Sequence, residues 1–294
     1  MAFDIYFAGS QNKLAEDYMM NNGCNRLLSY YSDKSIIRSW VDFKKSTQNA
    51  KNKLFIDCGA YTAFTQGVTI DIDNYIQYIN NIIEYIDIFA SLDIIGGSGV
   101  PDSDKKSYEN YLYLKEHCKD KHKLLPTYHQ GDNIQYLYKY LQDDDIDYIA
   151  LGGLVGSTKS ILDNFFQSCY KVIQKVRPDI KVHAFGMTSK PLLKSYPFKS
   201  ADSTAWIMTS ANGGIMSPWG VINISEKQDY LAKNYANMKK DEQEQVQIYL
   251  KSLGFTVQQC MEDYKIRCLV NIMYLQQFAN NHERKLKGLK KSLF

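Results

Sequence analysis

The sequence lacks several features that would have placed the protein in a narrow class. It contains no CxxC pair among its 6 cysteines, so it predicts neither a zinc module nor a disulfide framework. No uncharged run approaches the roughly 18 residues that a membrane span needs. The opening stretch MAFDIYFAGSQNK is short, carries an early acid and does not look like a secretory signal. We therefore expect reduced thiols, a cytoplasmic location and no membrane partner.

The sequence also has little net charge. Its 35 basic and 32 acidic residues leave a formal net charge of +3, which neither requires nor excludes a nucleic-acid partner. The C-terminal tail HERKLKGLKKSLF is basic and suits phosphates, although such a tail is more often a solvated helix end. The length of 294 residues is in range for a single α/β barrel, which has roughly 250 residues.

Short apolar runs predict eight strands. They lie at residues 3–9, 53–59, 88–93, 123–131, 147–153, 180–186, 200–206 and 220–224. Near-continuous apolar runs of this length are typical of strands that are covered on both faces. Helical patterns fill the gaps, and the clearest is IDIDNYIQYINNIIEYID at residues 70–87. This alternation of strands and helices predicts a parallel sheet.

We predict an α/β fold, a (β/α)8 TIM barrel over residues 1–225 with a helical C-terminal extension. An open, doubly wound sheet is the alternative. Strand patterns stop after residue 225, so residues 226–294 are predicted to form helices that pack on the barrel or extend it. Thr256 and Gln259 in this segment have the spacing of a capping box.

Polar and small residues follow most of the predicted strands. A single strand-end aspartate is usually a cap or a turn former. Three carboxylates that converge on one mouth can instead separate their pKa values and serve as nucleophile and general acid. In a barrel, the active site lies at the C-terminal ends of the strands. The residues found there are Asp57, Gly59, Tyr61, Asp93, His129, Gln130, Gly152, Gly153, Leu154, His183, Phe185, Gly186 and Asp202.

The residues that accompany the carboxylates suit a planar heterocyclic ligand. Glycines let backbone N–H groups approach a ligand closely. The amide of Gln130 can both donate to and accept from the edge of a base, and an aromatic ring such as Tyr61 can stack on it. His129 and His183 lie near the same mouth. A lone strand histidine is more often a hydrogen-bonded core residue, so we leave both outside the predicted catalytic set.

The order of these motifs resembles the tRNA-guanine transglycosylase superfamily, including its branch that acts on DNA. DCGAY at residues 57–61 is similar to the Asp–Ser–Gly–Gly–aromatic turn of that family, with Cys58 and Ala60 as departures. The family fold is an (α/β)8 barrel, which agrees with the strand pattern. The resemblance covers about residues 50–210, and its other matches are Asp93, Gln130–Gly131, Gly152–Gly153–Leu154, Phe185–Gly186 and Asp202.

The resemblance implies a base-exchange reaction that needs no cofactor and no metal. Asp202 would attack C1′ of a guanosine nucleotide and form a covalent glycosyl-enzyme intermediate, and Asp57 would act as general acid and base. The partners would be DNA or tRNA and a free 7-deazaguanine base. The resemblance further implies that Asp93, Gln130 and the N–H of Gly153 bind the edge of the base. Tyr61 and Phe185 would stack on its two faces.

One departure from the family pattern bears on the polynucleotide substrate. The tRNA enzymes carry a C-terminal zinc site of three closely spaced cysteines and a histidine. Here only Cys260, Cys268 and His282 remain, with other spacings, so we expect no zinc there. This favours the compact, phage-type relatives that exchange guanine in DNA, with tRNA as the alternative substrate. The strand-end residues are also compatible with a nucleoside hydrolase or DNA glycosylase, with a non-catalytic nucleic-acid-binding relative, and with an unrelated barrel enzyme acting on a small phosphate or sugar.

Overall fold

The structure is a computed structural model that describes residues 3–9, 12–47, 50–95, 101–154, 156–187, 189–226 and 233–281. Its strands are β1 (Asp4–Phe7), β2 (Asn25–Ser29), β3 (Leu54–Asp57), β4 (Ile88–Ala90), β5 (Leu124–Leu125), β6 (Thr127–His129), β7 (Tyr148–Gly152), β8 (Lys181–Ala184), β9 (Ser200–Ser203), β10 (Gly214–Ser217) and β11 (Gly220–Asn223). Its α-helices are α1 (Lys13–Asn21), α2 (Lys34–Ser46), α3 (Ala60–Thr65), α4 (Ile72–Ile82), α5 (Ser103–His117), α6 (Ile134–Leu141), α7 (Lys159–Val176), α8 (Lys190–Ser195), α9 (Ala205–Ala211), α10 (Lys240–Ser252), α11 (Val257–Glu262) and α12 (Tyr264–Asn280). None of these helices is both long enough and apolar enough to cross a membrane.

The strands β1 to β9 form one parallel sheet in the order β5-β4-β3-β2-β1-β9-β8-β7-β6. Its two edge strands, β5 and β6, follow one another in the chain and are separated by Pro126 alone. The carbonyl of Leu125 accepts from the N–H of Ser91, directly after β4, at 2.9 Å. The carbonyl of Pro126 accepts from the N–H of Ala150 in β7 at 2.8 Å. Hydrogen bonding therefore continues around a nearly closed barrel, and the predicted α/β class is confirmed.

Pro126 also accounts for a sheet of nine strands where the sequence predicted eight. Residues 123–131 were predicted as one strand. Proline has no N–H to donate to a neighbouring strand, so it divides this segment into β5 and β6. Two other differences leave the number of sheet strands unchanged: β2 was not predicted, and the predicted strand at residues 220–224 lies outside this sheet.

The missed strand is β2, whose run NRLLS carries a charged residue where a buried strand was expected to be apolar. Arg26 is fully buried. Its guanidinium is paired twice with Glu16, with Nη2–Oε1 at 2.6 Å and Nε–Oε2 at 3.0 Å. It also donates to the carbonyls of Phe7, Gly9 and Leu27. All three guanidinium nitrogens thus have acceptors, which is what lets a charge lie inside the fold.

The predicted strand at residues 220–224 is not part of the barrel, and that prediction was wrong. β11 pairs antiparallel with β10 in a separate two-stranded sheet, with Gly214 opposite Asn223 and Ser217 opposite Gly220. An apolar run indicates burial but does not identify the partner of the strand. Periodicity therefore could not distinguish a barrel strand from a hairpin strand.

The hairpin and the C-terminal helices share a second, smaller core. Side chains of β10, β11, α10, α11 and α12 meet there, including Ile215, Val246 and Val270. α12 also packs against α1, α9 and β1, and its Cys268 and Ile272 belong to the main core around the barrel. Helix α12 is therefore common to both cores, and the domain boundary at residue 225 stays a prediction.

The inside of the barrel is filled by mostly apolar side chains. Phe55 lies two residues before Asp57 on β3, so both side chains point to the same face of the strand. The rings of Tyr6 and Phe55 meet edge to face, with 5.6 Å between centroids. The C-terminal strand ends therefore stand directly above an apolar interior, whose members are Tyr6, Ala8, Leu27, Phe55, Ile88, Ala90, Leu125 and Ala150.

Arg26→Met should lower the free energy of unfolding by about 3–5 kcal/mol, because it leaves the Glu16 carboxylate buried without its counter-charge. Urea unfolding followed by circular dichroism measures the change. Arg38→Ala, on the exposed side of α2, is the control and should alter stability by less than about 0.5 kcal/mol. A variant Arg26→Met as stable as the wild type would show that the ion pair does not hold β2 in place.

Candidate active site

The three aspartates predicted from strand ends lie at the same end of the barrel. Asp57 is the last residue of β3, Asp93 follows β4, and Asp202 lies in β9. The charges of Asp93 and Asp202 both act on the carboxyl of Asp57. The structure thus brings together the three carboxylates that the sequence analysis singled out.

The carboxyl of Asp57 titrates far above its ordinary range. Burial is the largest cause of the raised pKa, which is about 7, and the charges of Asp93 and Asp202 act in the same direction. The N–H of Gly59 donates to Asp57 Oδ2 at 2.9 Å and opposes the rise in pKa. Asp57 therefore exchanges a proton near neutral pH, as a general acid and base must.

Gly59 explains how the chain leaves β3. It has a left-handed conformation, with φ at 82°, immediately before α3. A Cβ at this position would lie 2.4 Å from Ser29 Oγ and 2.6 Å from Tyr31 Cβ, so only glycine fits. Tyr61, two residues further on, is 60% exposed, which leaves its ring accessible to a ligand.

Asp93 is paired with a histidine across the point where β5 passes into β6. Its Oδ2 lies 3.5 Å from His129 Nε2, and its Oδ1 accepts from Ser91 Oγ at 2.9 Å. On the other side of the imidazole, Nδ1 lies 3.7 Å from Asp132 Oδ2. Burial raises the pKa of Asp93 in spite of His129 and Ser91, which lower it. Burial acts to lower the pKa of His129, but Asp93 and Asp132 raise it above its ordinary value.

Two glycines let the end of β6 lie against the end of β7. A Cβ on Gly152 would lie 2.8 Å from His129 Cδ2. One on Gly153, whose φ is +72°, would lie 3.0 Å from the backbone nitrogen of Gln130. Gln130 Oε1 accepts from Ser157 Oγ at 2.8 Å. With Oε1 engaged by Ser157, the amide N–H group of Gln130 can donate to a ligand.

Asp202 is held through one of its two oxygens. Its Oδ1 accepts from the N–H of Gly186 at 2.8 Å and lies 3.2 Å from His183 Nε2. The ring of Phe185 packs edge to face on His183, with 4.7 Å between centroids, and lies 5.7 Å from the ring of Phe55. Within the described ranges, no group hydrogen-bonds to Asp202 Oδ2. Phe185 and Gly186 are thus brought to Asp202, as the sequence analysis grouped them.

The side chain of Leu154 lies away from the other predicted binding residues. It is 5% exposed and belongs to the main core outside the barrel. The left-handed turn at Gly153 directs the chain outward at this point. Leu154 can therefore contact a ligand at the strand ends only through its backbone.

Two residues that the sequence analysis left outside the site each contact one of its aspartates. Strand register is the signal that indicates His183, because β8 aligns it with Ser200, which shares a face of β9 with Asp202. No comparable signal indicates His129. Its contact with Asp93 depends on closure of the barrel, which the local sequence does not reveal.

The described residues contain no group of three or more His, Cys, Asp or Glu side chains arranged to hold a metal ion. Cys260 in α11 and Cys268 in α12 are buried. His282, the third residue considered for zinc, lies outside the described residues. The expected absence of zinc in the C-terminal segment therefore stays a prediction.

Two comparisons with known proteins gave no match. No family model matches the chain, and no curated protein matches it. The resemblance to the transglycosylase superfamily therefore depends on the strand-end motifs and on their order in the chain.

Asp57→Asn should stabilise the fold above neutral pH. The folded protein holds the Asp57 proton more tightly than the unfolded chain, whose carboxyl titrates near 3.8. Raising the pH from about 4 to about 7 therefore removes stability through Asp57 in the wild type, and the amide variant lacks this loss. We expect the free energy of unfolding of the variant to exceed that of the wild type by about 1–4 kcal/mol at about pH 8.

Urea unfolding at about pH 4 and about pH 8 measures this difference, which should nearly vanish at the lower pH. Asp144→Asn is the control, because Asp144 is an exposed aspartate at the opposite end of the barrel. It should give no comparable gain. Equal stability of wild type and Asp57→Asn at both pH values would contradict the raised pKa of Asp57.

Proposed function

We propose that the protein is a pentosyltransferase that replaces guanine in a polynucleotide with a 7-deazaguanine base, with DNA favoured over tRNA. The observation that carries the proposal is a pair of unlike aspartates at one end of the barrel. Asp57 has a pKa of about 7, and Asp202 is fixed through Oδ1. Such a pair supplies one group that moves protons and one that attacks carbon. The order of the strand-end motifs supports guanine as the base.

Asp202 is the nucleophile in this proposal. Gly186 and His183 engage Oδ1, so Oδ2 is the oxygen that attacks C1′ of the target nucleotide. The attack forms an ester bond between Asp202 and C1′ and breaks the bond from C1′ to N9 of guanine. A second displacement by the incoming base breaks the ester and restores a glycosidic bond with the original configuration.

Asp57 moves the proton that each half of the exchange requires. In its protonated form it gives a proton to the departing guanine. As the carboxylate it then takes the N9 proton of the incoming base, whose electron pair forms the new bond to C1′. A pKa of about 7 keeps both forms of Asp57 available at neutral pH.

The groups around the aspartates suit the edge and faces of guanine. Asp93 accepts hydrogen bonds, whereas the amide of Gln130 and the backbone N–H of Gly153 donate them, a combination that matches a guanine edge. Tyr61 and Phe185 offer rings for stacking. A base within a duplex is inaccessible to such a site, so the substrate presents a flipped or unpaired guanine.

Asp202→Asn should abolish base exchange, because an amide cannot form the glycosyl ester. The assay incubates DNA or tRNA with a labelled 7-deazaguanine base and measures incorporation, and denaturing electrophoresis detects the covalent intermediate. Asp144→Asn, at the opposite end of the barrel, is the control and should retain activity. A covalent band that survives Asp202→Asn would place the nucleophile elsewhere. Release of guanine without incorporation would identify a hydrolase or glycosylase instead.

Asp57→Asn should slow the exchange by about 10²–10⁴-fold, which is the usual contribution of general acid–base catalysis. Binding of the polynucleotide should change little, because only proton transfer is lost. The wild-type pH–rate profile should show an ionisation near 7 that the variant lacks. If that ionisation persists in Asp57→Asn, another group moves the proton. His129 is then the candidate, because it contacts Asp93 at the strand ends and its pKa is raised above its ordinary value.

A further inference from the structure

A line of polar side chains crosses the otherwise apolar interior of the barrel. Tyr148 Oη contacts Ser200 Oγ, which lies 2.5 Å from His183 Nδ1. His183 Nε2 in turn lies 3.2 Å from Asp202 Oδ1. His183 and Ser200 are fully buried. Buried polar groups persist where each has a hydrogen-bond partner, and the members of this line, which we call the interior line, supply partners to one another.

Strand register and strand ends account for the interior line. β8 pairs with β9 so that His183 lies opposite Ser200, and Asp202 shares a face of β9 with Ser200. Tyr148 begins β7 at the other end of the barrel, where it and Tyr6 line a cavity of about 570 Å³. The interior line therefore connects this basal cavity with the carboxylate at the C-terminal strand ends.

Hydrogen-bond chemistry gives the interior line one direction. The carboxylate of Asp202 only accepts hydrogen bonds, so a neutral imidazole that bonds to it carries its proton on Nε2. Nδ1 of a neutral imidazole accepts, so the hydroxyl of Ser200 donates to it and itself accepts from the phenol of Tyr148. Every donor then meets an acceptor. The opposite tautomer would place the Nε2 lone pair against a carboxylate.

We propose that His183 is a positioning residue, held by Ser200 and Tyr148 as the neutral Nε2–H tautomer. In this form its Nε2–H and the N–H of Gly186 both donate to Asp202 Oδ1. The carboxylate cannot rotate without losing two hydrogen bonds, so Oδ2 keeps its orientation towards the reacting carbon. The effect on rate rests on the proposed function, whereas the tautomer of His183 does not.

The tautomer is measured by long-range ¹H–¹⁵N NMR of the full-length protein labelled with ¹⁵N-histidine, with the His183 signals assigned by their loss in His183→Gln. Wild type at neutral pH should show the neutral Nε2–H form. The ¹⁵N shift of Nδ1 reports the hydrogen bond that it accepts. Ser200→Ala should therefore move this shift to that of a nitrogen without a donor, and Tyr148→Phe should move it less in the same direction.

Tyr6→Phe is the matched control for these variants. Tyr6 lines the same basal cavity, and its ring packs on His183 with 6.0 Å between centroids, but its hydroxyl is not in the interior line. This variant should leave the Nδ1 shift unchanged. Tyr148→Phe decides the matter if Ser200→Ala does not fold. Wild-type His183 as an imidazolium or as the Nδ1–H form, or an Nδ1 shift that is insensitive to both variants, would overturn the proposal.

The rate provides the second readout. Removing the hydrogen bond to Asp202 in His183→Leu should lower kcat for base exchange by about 10–100-fold with little change in KM, because only the attack is misaligned. His183→Gln, whose amide N–H can replace Nε2–H, should restore most of the rate. Loss of rate that His183→Gln does not restore would refute a positioning role. If wild type exchanges no base, the proposed function fails and the NMR result alone decides the inference.

Discussion

The carbonyl of Leu125 accepts a hydrogen bond from Ser91, beside β4, and the carbonyl of Pro126 accepts one from Ala150 in β7. These two bonds close the sheet into a barrel, and the arrangement of charges at the strand ends depends on that closure. Asp93 follows β4 and His129 ends β6, strands that would lie near opposite edges if the sheet were open. Their side chains come within 3.5 Å because β5 passes directly into β6. Closure therefore creates this pair, and Asp93 is the largest single cause that raises the pKa of His129.

Among the described residues, two of the three carboxylates each contact a histidine, and Asp57 does not. His129 faces Asp93 and His183 faces Asp202, whereas backbone N–H groups are what lower the pKa of Asp57. Burial is consequently the largest influence on the pKa of Asp57, whose side chain lies above the aromatic interior of the barrel. Burial also raises the pKa of Asp93, so the apolar interior of the barrel acts on two of the three acids at its rim.

The strand ends of the candidate site could be predicted from the sequence, since Asp57 and Asp202 each belong to an apolar run that is recognisable without its neighbours. β2 could not be predicted, because Arg26 is stable in a buried strand through acceptors that the fold brings to it, among them the carboxylate of Glu16 in α1. The contact of His183 with Asp202 depends on the register between two strands. Such partners follow from the tertiary fold, so local pattern identifies the carboxylates but not what holds them.

The position of α12 has a consequence for biosynthesis. This helix covers part of β1, α1 and α9, yet it is made long after Ser203, the last residue of the parallel sheet. A nascent chain therefore contains every strand of the sheet while one flank of its main core still lacks its cover. Contacts between such distant parts of a chain form slowly, because a long loop must close first. The apolar flank is thus exposed to solvent and to chaperones for as long as the ribosome takes to release the segment up to Asn280.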